Sequence, residues 1–261
     1  MSDPRRADVC AVAIAEAFRG DGERLCNPIG NLPLVGGRLA AATFEPHLVL
    51  TDGFYSLLDN VPPVGLDEEA RLAQRVVGSW NPYREMFGLL WQGKRHVMMG
   101  ATQVDRYGNQ NIAAIGDWHQ PKSQLLGFRG APGNTINHTT SYWVPNHSPK
   151  VVVESVDVVC GIGYDRAAEL GAVSSRFHEI RRVVTNLCTF DFGAADENGV
   201  PTLRLASVHP GVTVDEVLEA TGCDVVVDGD VPTSRGPDAD EAAALEWLDP
   251  GGLRFAEVPD Q

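Results

Sequence analysis

The chain has 261 residues, and its 21 lysines and arginines stand against 35 aspartates and glutamates, a formal charge of −14. With 43% hydrophobic and 21% charged residues it has ordinary globular usage, which excludes disorder as the main state, and a chain of this length buries enough surface to fold without a disulfide or metal staple. The acidic balance argues against a nucleic-acid partner, which calls for a basic face.

A first helix is predicted over residues 8–18. Glu16 and Arg19 cut short the apolar run that follows Arg5-Arg6, so it reads as an amphipathic helix and not as a secretion signal. A second helix is predicted over 33–43, with Pro33 suited to its first turn. A strand-like run at 47–50 comes next, then a helix opened by Asn81-Pro82 and closed by Gly93. Further strand-like runs lie at 95–99, 111–115, 125–128, 151–153, 183–187, 203–207 and 225–227. Several are continuously apolar, as in strands buried on both faces. Thr213 and Glu216 make a capping box for a helix over 213–220, and a short acidic helix is read over 240–248. Helices interleaved with strands place the chain in the α/β class. From Asp224 onward ten acids face only Arg235 and Arg254, so residues 229–261 read as a solvated acidic C-terminal extension to a domain spanning 1–228.

No apolar run approaches the roughly 20 residues of a membrane span. The five cysteines are widely spaced, with no CxxC pair, which fits buried thiols in a reducing compartment, the cytoplasm. None of the seven histidines has metal-ligand spacing, so a structural role is expected for them and no metal is called for. The GxSxG elbow, the GxGxxG fingerprint and the P-loop are all missing from the sequence.

Three segments carry chemistry. Residues 100–111, Gly-Ala-Thr-Gln-Val-Asp-Arg-Tyr-Gly-Asn-Gln-Asn, are rich in amides around a Gly108-Asn109 turn signal. They read equally as a hairpin whose amides cap backbone groups. Residues 127–138, Gly-Phe-Arg-Gly-Ala-Pro-Gly-Asn-Thr-Ile-Asn-His, combine glycines, a cation and amides. Glycines allow close backbone approach, and successive N–H groups form anion-binding nests. Arg129 is suited to a carboxylate or a developing enolate. The plain alternative is a surface loop with a solvated arginine. Thr51-Asp52-Gly53 follows a strand-like run, the position that lines the ligand crevice of an open α/β sheet.

Together these strings resemble the class I coenzyme A transferases. Residues 100–111 resemble their G-x-Q-V-D-x-x-G-N-x-N signature, with Gln103 to Asn111 at its spacing, and Gly130-Ala131-Pro132-Gly133-Asn134 sits where they carry a glycine-rich loop. Val183-Val184-Thr185-Asn186-Leu187, Pro210-Gly211-Val212-Thr213 and Thr221-Gly222 resemble the ending of their beta subunits, and the likeness runs from about residue 8 to about 227. It implies an open, mostly parallel sheet with flanking helices. One departure stands out. Thr51 occupies the place of the glutamate that forms the acyl intermediate in the transferases, and a threonine cannot form it.

Residues 127–138, 140–144 and 154–165 are similar to the beta subunits of actinobacterial steroid ring-cleaving hydrolases, a transferase-related branch whose glutamate lies on the alpha subunit. That resemblance implies a heteromeric enzyme, an α2β2 assembly, in which this chain supplies half of the active site. The reaction it implies is C–C hydrolysis of a cyclic β-dicarbonyl coenzyme A thioester, with coenzyme A entering as part of the substrate and no permanently bound cofactor. Arg129 and Asn134 are then the catalytic candidates. Thr51, Asp52, Gln103, Asn109, Gly130, Ala131, Pro132, Gly133, Asn137 and His138 are the candidates for substrate contact. Two rival readings stay open. One is a conventional transferase subunit using another carboxylate, for which Glu154 is the candidate, and the other is a non-catalytic stabilising subunit.

Overall fold

The computed structural model describes residues 4–51, 56–67, 69–70 and 77–258; Asp52 and Gly53, singled out above, lie outside the described residues. The chain forms two compact units, residues 1–99 with 235–261 and residues 100–234.

The first unit begins with α1 (Arg6–Ala17), β1 (Leu25–Pro28), α2 (Asn31–Thr43), β2 (Ser56–Leu58), β3 (Val77–Trp80), α3 (Tyr83–Leu90) and β4 (Arg95–Gly100). β1 and β4 run parallel, Leu25 opposite Arg95 and Pro28 opposite Met98. α1 is buried nearly all round, because Val9, Val12 and Ile14 point into the core together with alanines that take little room. Gly36 of α2 lets the two helices touch: a Cβ there would lie 2.4 Å from Ile14 Cγ2. The run predicted as a strand at 47–50 reduces to an isolated parallel bridge between Val49 and Leu25.

The second unit holds β5 (Gln103–Asp105), β6 (Gln110–Asn111), β7 (Ala114–Ile115), β8 (Ser123–Gln124), α4 (Ala131–Asn137), β9 (Thr139–Val144), β10 (Val152–Val153), α5 (Tyr164–Ser174), β11 (Glu179–Thr185), β12 (Cys188–Ala195), β13 (Pro201–Val208) and α6 (Val214–Glu219). β9 and β11 are parallel, whereas β11, β12 and β13 follow as an antiparallel meander. β5 pairs in parallel with β10 and antiparallel with β6. The α/β class and the parallel strands therefore match the expectation, and the antiparallel edge adds to it. Residues 125–128 are not a strand, since Leu126 and Phe128 stand exposed on irregular backbone. Residues 225–227 contribute only a bridge from Val226 to Arg204.

The acidic C-terminal stretch is folded where a solvated tail was expected. It carries α7 (Ala239–Leu248) and α8 (Arg254–Glu257). Leu245, Leu248 and Val258 are buried, and the Leu248 carbonyl accepts from Val64 N at 2.7 Å. Arg254, 1% exposed, donates to Asp8 at 2.7 Å, Asp249 at 3.1 Å and Glu246 at 2.8 Å. Three of the unit's acids thus neutralise one buried guanidinium, a use of negative charge that composition does not reveal. Among the described residues no helix is long and apolar enough to cross a membrane.

His147 shows why a histidine here is structural. Its Nδ1 meets Thr185 Oγ1 and its Nε2 meets Thr221 Oγ1, both at 3.0 Å, and the ring lies edge-on to Phe190. Burial lowers its pKa to about 4. The unfolded chain takes up this proton near pH 6.5 and the folded chain only near 4, so stability falls as pH drops through that window. His147→Gln removes the titration and keeps hydrogen-bonding capacity. Urea unfolding between pH 7 and 4 should show the wild type losing stability more steeply than the variant, by up to about 1.4 kcal/mol per pH unit. Parallel profiles would exclude His147 as the source.

Candidate active site

The turn between β5 and β6 is built on Asp105. Its Oδ1 accepts from Tyr107 N and from Asn109 N, both at 3.0 Å, which bends the chain through Gly108 at φ +84°. No other residue fits at Gly108, since a Cβ would come within 2.8 Å of both Ile180 and Phe192. The Asn109 amide then donates to both Asp105 oxygens, at 3.2 and 3.0 Å, and to Asp165 at 2.9 Å, and its oxygen accepts from Gly163 N at 2.7 Å. Burial pushes the Asp105 carboxyl up to about 6, against the lowering effect of the Asn109 and Tyr107 hydrogen bonds. Gln103 is similarly engaged: its Oε1 accepts from Asn111 Nδ2 at 2.7 Å and from Asp157 N at 3.0 Å, and its Nε2 donates to Asp157 at 3.2 Å. Gln103 and Asn109, read from sequence as substrate contacts, are 6% and 2% exposed and spend their amides on the protein itself. They act as struts, because every polar atom they carry already has a partner.

The glycine-rich segment is not an open loop after a strand. It forms the short helix α4, with Pro132 in its first turn. Pro132 has no N–H, Ala131 N donates to Phe128 O at 3.1 Å, and Asn134 N donates to Gly130 O at 2.9 Å. The nest expected over 130–134 is therefore cut down to the N–H groups of Gly130 and Gly133. Gly130, Pro132 and Gly133 are exposed, whereas Ala131 is buried. The Asn134 side chain lies against Gly130, within 3.6 Å of where a Cβ would be. Asn137 donates back to Gly133 O at 2.8 Å, and His138 is 1% exposed with Nδ1 at 3.2 Å from Thr139 O. Of these candidates, Asn134 lies against Gly130, which follows Arg129 in the chain, while the Asn137 amide nitrogen and His138 Nδ1 meet backbone carbonyls.

Arg129 is exposed and has φ +49°, the left-handed region, and is the one non-glycine residue there among the described residues. That conformation costs about 1–2 kcal/mol for a residue with a Cβ. Strain of this kind persists where the surroundings hold it, and it concentrates at working sites. No acid among the described residues pairs with the guanidinium.

Thr51 belongs to the other unit, half-buried and bridged to Leu57. Glu154 borders an open groove lined by Leu218 and residues 221–225, and none of residues 129–138 lines it. The cysteines offer no nucleophile. Cys10, Cys26, Cys160 and Cys188 are buried thiols outside any disulfide, and burial pushes Cys10 and Cys223 up to about 12. Among the described residues no group of histidines, cysteines and acids is arranged to hold a metal ion. Thr135, inside the segment 127–138, and His178, one of the histidines read as structural, both hold α4, and the sequence singles out neither.

No protein-family model matches the chain. It is 30% identical over 248 residues to the B-type subunit of the 3-oxoadipate CoA-transferase of Pseudomonas knackmussii, covering 91% of each chain. The class is thus a B-type subunit with the coenzyme A transferase fold. The likeness is stronger to the cholesterol ring-cleaving hydrolase IpdB subunit of Rhodococcus jostii RHA1, 44% identical over 259 residues, which are 99% of this chain and 98% of the relative. The crystal structure of IpdAB from the same organism superposes with a TM-score of 0.89 at 43% identity, over 98% of this chain and 99% of that one. The chain belongs to the family of these IpdB subunits, a branch of the coenzyme A transferases.

Proposed function

We propose that this chain is the beta subunit of a heteromeric hydrolase that opens a steroid-derived ring by C–C hydrolysis of a cyclic β-dicarbonyl coenzyme A thioester. The observation that carries this reading is the near-full-length likeness to an IpdB subunit. Thr51 at the position of the transferase glutamate agrees with it, since transfer needs a carboxylate there and hydrolysis does not. The reading calls for an alpha subunit, in an α2β2 complex located in the cytoplasm, and for coenzyme A only as part of the substrate.

The chemistry divides between two subunits. A glutamate of the alpha subunit takes a proton from water, and the hydroxyl adds to a ring carbonyl carbon. The C–C bond to the carbon between the two carbonyls breaks, and its electron pair becomes an enolate that collects the proton. A new carboxylate remains on the opened ring. The enolate oxygen gains negative charge during the step, and a fixed cation beside it stabilises the transition state more than the ground state. Arg129 and the Asn134 amide supply that support from this chain, and Gln103 and Asn109 hold the frame.

Co-expression with an alpha subunit tests the reading. The purified complex should convert a bicyclic β-dicarbonyl coenzyme A thioester to its ring-opened acid with uptake of one water, followed by mass spectrometry, while the isolated chain leaves it unchanged. Turnover by the isolated chain, or transfer of coenzyme A to an acceptor acid as the main reaction, would overturn it.

A further inference from the structure

We infer that Thr135 is a positioning residue, the joint through which the signature turn and His178 together fix α4 and thereby Asn134 and Arg129. The inference rests on the reading of α4 as part of the active site. Thr135 is wholly buried, next to Asn134 in the chain. Its Oγ1 accepts from Ile162 N at 3.1 Å, and its carbonyl accepts from His178 Nδ1 at 2.6 Å. That carbonyl belongs to the last turn of α4, where no backbone N–H is available within the helix, so the imidazole takes the place of a C-terminal cap.

Both partners are themselves held. Ile162 lies between Gly161, whose N donates to Gln110 O at 3.2 Å and whose O accepts from Gln110 N at 2.9 Å, and Gly163, which donates to Asn109. A Cβ on Gly161 would come within 2.8 Å of Thr135 Cγ2, and one on Gly163 within 2.4 Å of Tyr107 O, so the segment passes tightly between the turn and the helix. His178 lies edge-on to Tyr164, ring centroids 4.9 Å apart, and the Tyr164 hydroxyl donates to Ile180 O and accepts from Ile180 N, both at 3.1 Å. With Nδ1 donating to Thr135, the ring is committed to one tautomer. Its Nε2 is buried and meets no hydrogen-bond partner among the described residues, so the ring's hydrogen bond is the one Nδ1 makes to Thr135. A continuous set of contacts thus runs from Asn109 and Gln110 through residues 161–163 to Thr135, and from the sheet through Tyr164 and His178 to the same residue. The amide-rich signature acts at the active site through this joint.

The test compares Thr135→Val with Thr135→Ser in the complex with an alpha subunit. Valine keeps the methyl facing Gly161 and loses the oxygen that accepts from Ile162; serine keeps the oxygen and loses the methyl. Displacement of a site by about 1 Å commonly costs about 100-fold, so valine should lower kcat about 10- to 100-fold with KM changed by less than about threefold, and serine should restore most of kcat. Hydrogen exchange of amides 131–137 should speed up in the valine variant and stay near wild type in the serine variant. His178→Phe, which keeps the ring against Tyr164 and removes the donor, should lower kcat in the same sense, and the combined variant should lose less than the product of the two. Should valine prevent folding, serine and His178→Phe carry the same comparison. Wild-type kcat and unchanged exchange in the valine or His178→Phe variants would overturn the joint, as would equal kcat losses for valine and serine. If Arg129→Ala also turns over normally, the reading of α4 as part of the site is what fails.

Discussion

Arg129→Ala in the assembled complex is expected to lower turnover by about 10²–10³, the usual loss when one preorganised electrostatic contact to a developing oxyanion is removed. The residue sits where α4 begins, exposed, with no acid partner among the described residues, on a backbone conformation its side chain disfavours. Lysine should not restore activity if the guanidinium makes two parallel hydrogen bonds, because an ammonium is a point charge without that fork. Arg129→Gly separates shape from charge. Glycine accepts φ +49° freely, so this variant should melt at or above the wild-type temperature and still be as slow as alanine. An alanine or glycine variant with near-normal turnover and intact subunit stoichiometry would remove Arg129 from the active site.

The segments that hold these groups were legible in sequence to very different degrees. α1, α2, α6 and α7 fall close to their predicted spans; α2 carries Pro33 in its first turn, and α6 and α7 start at capping boxes on Thr213 and Asp238. β9 was passed over. Its Thr-Thr-Ser-Tyr-Trp-Val is buried at every position, so the inside–outside alternation that identifies a strand does not exist there. The run at 125–128 misled for the opposite reason: it is apolar, yet Leu126 and Phe128 are exposed. The glycine-rich segment was visible as a place where backbone comes close to something. Its helical form was not, since Gly130-Ala131-Pro132-Gly133 carries three poor helix residues, and α4 exists because Thr135 is fastened from outside. Amides at Gln103 and Asn109 pointed to a ligand on chemistry alone, but whether an amide faces a substrate or a neighbouring carboxylate depends on residues more than 50 positions away, Asp157 and Asp165.

Asn109 carries the largest expected effect on stability. Its amide is the donor that lets two acids, Asp105 and Asp165, approach each other in the interior, and its oxygen holds Gly163. Asn109→Ala removes these bonds and leaves Asp105, 4% exposed, short of the donors that offset its burial. The expected cost is about 3–5 kcal/mol at pH 7, as for other buried charges deprived of a partner. Its pH dependence identifies the cause. Asp105 already has a folded-state pKa of about 6, above its unfolded value, and loss of the asparagine drives it higher. The folded chain then holds the proton where the unfolded chain does not, so the penalty against wild type is full above the raised pKa and shrinks as pH falls toward about 5. Neutralising the acid should act in the same way at fixed pH. Asp105→Asn combined with Asn109→Ala should recover part of the loss that Asn109→Ala shows alone. Urea midpoints at pH 8 and pH 5 for the four proteins of this cycle decide the matter. A penalty that is the same at both pH values and unaffected by Asp105→Asn would mean that Asn109 fills space and does not hold the acids. The turn that anchors residues 161–163, and through them Thr135 and α4, would then owe its shape to packing alone.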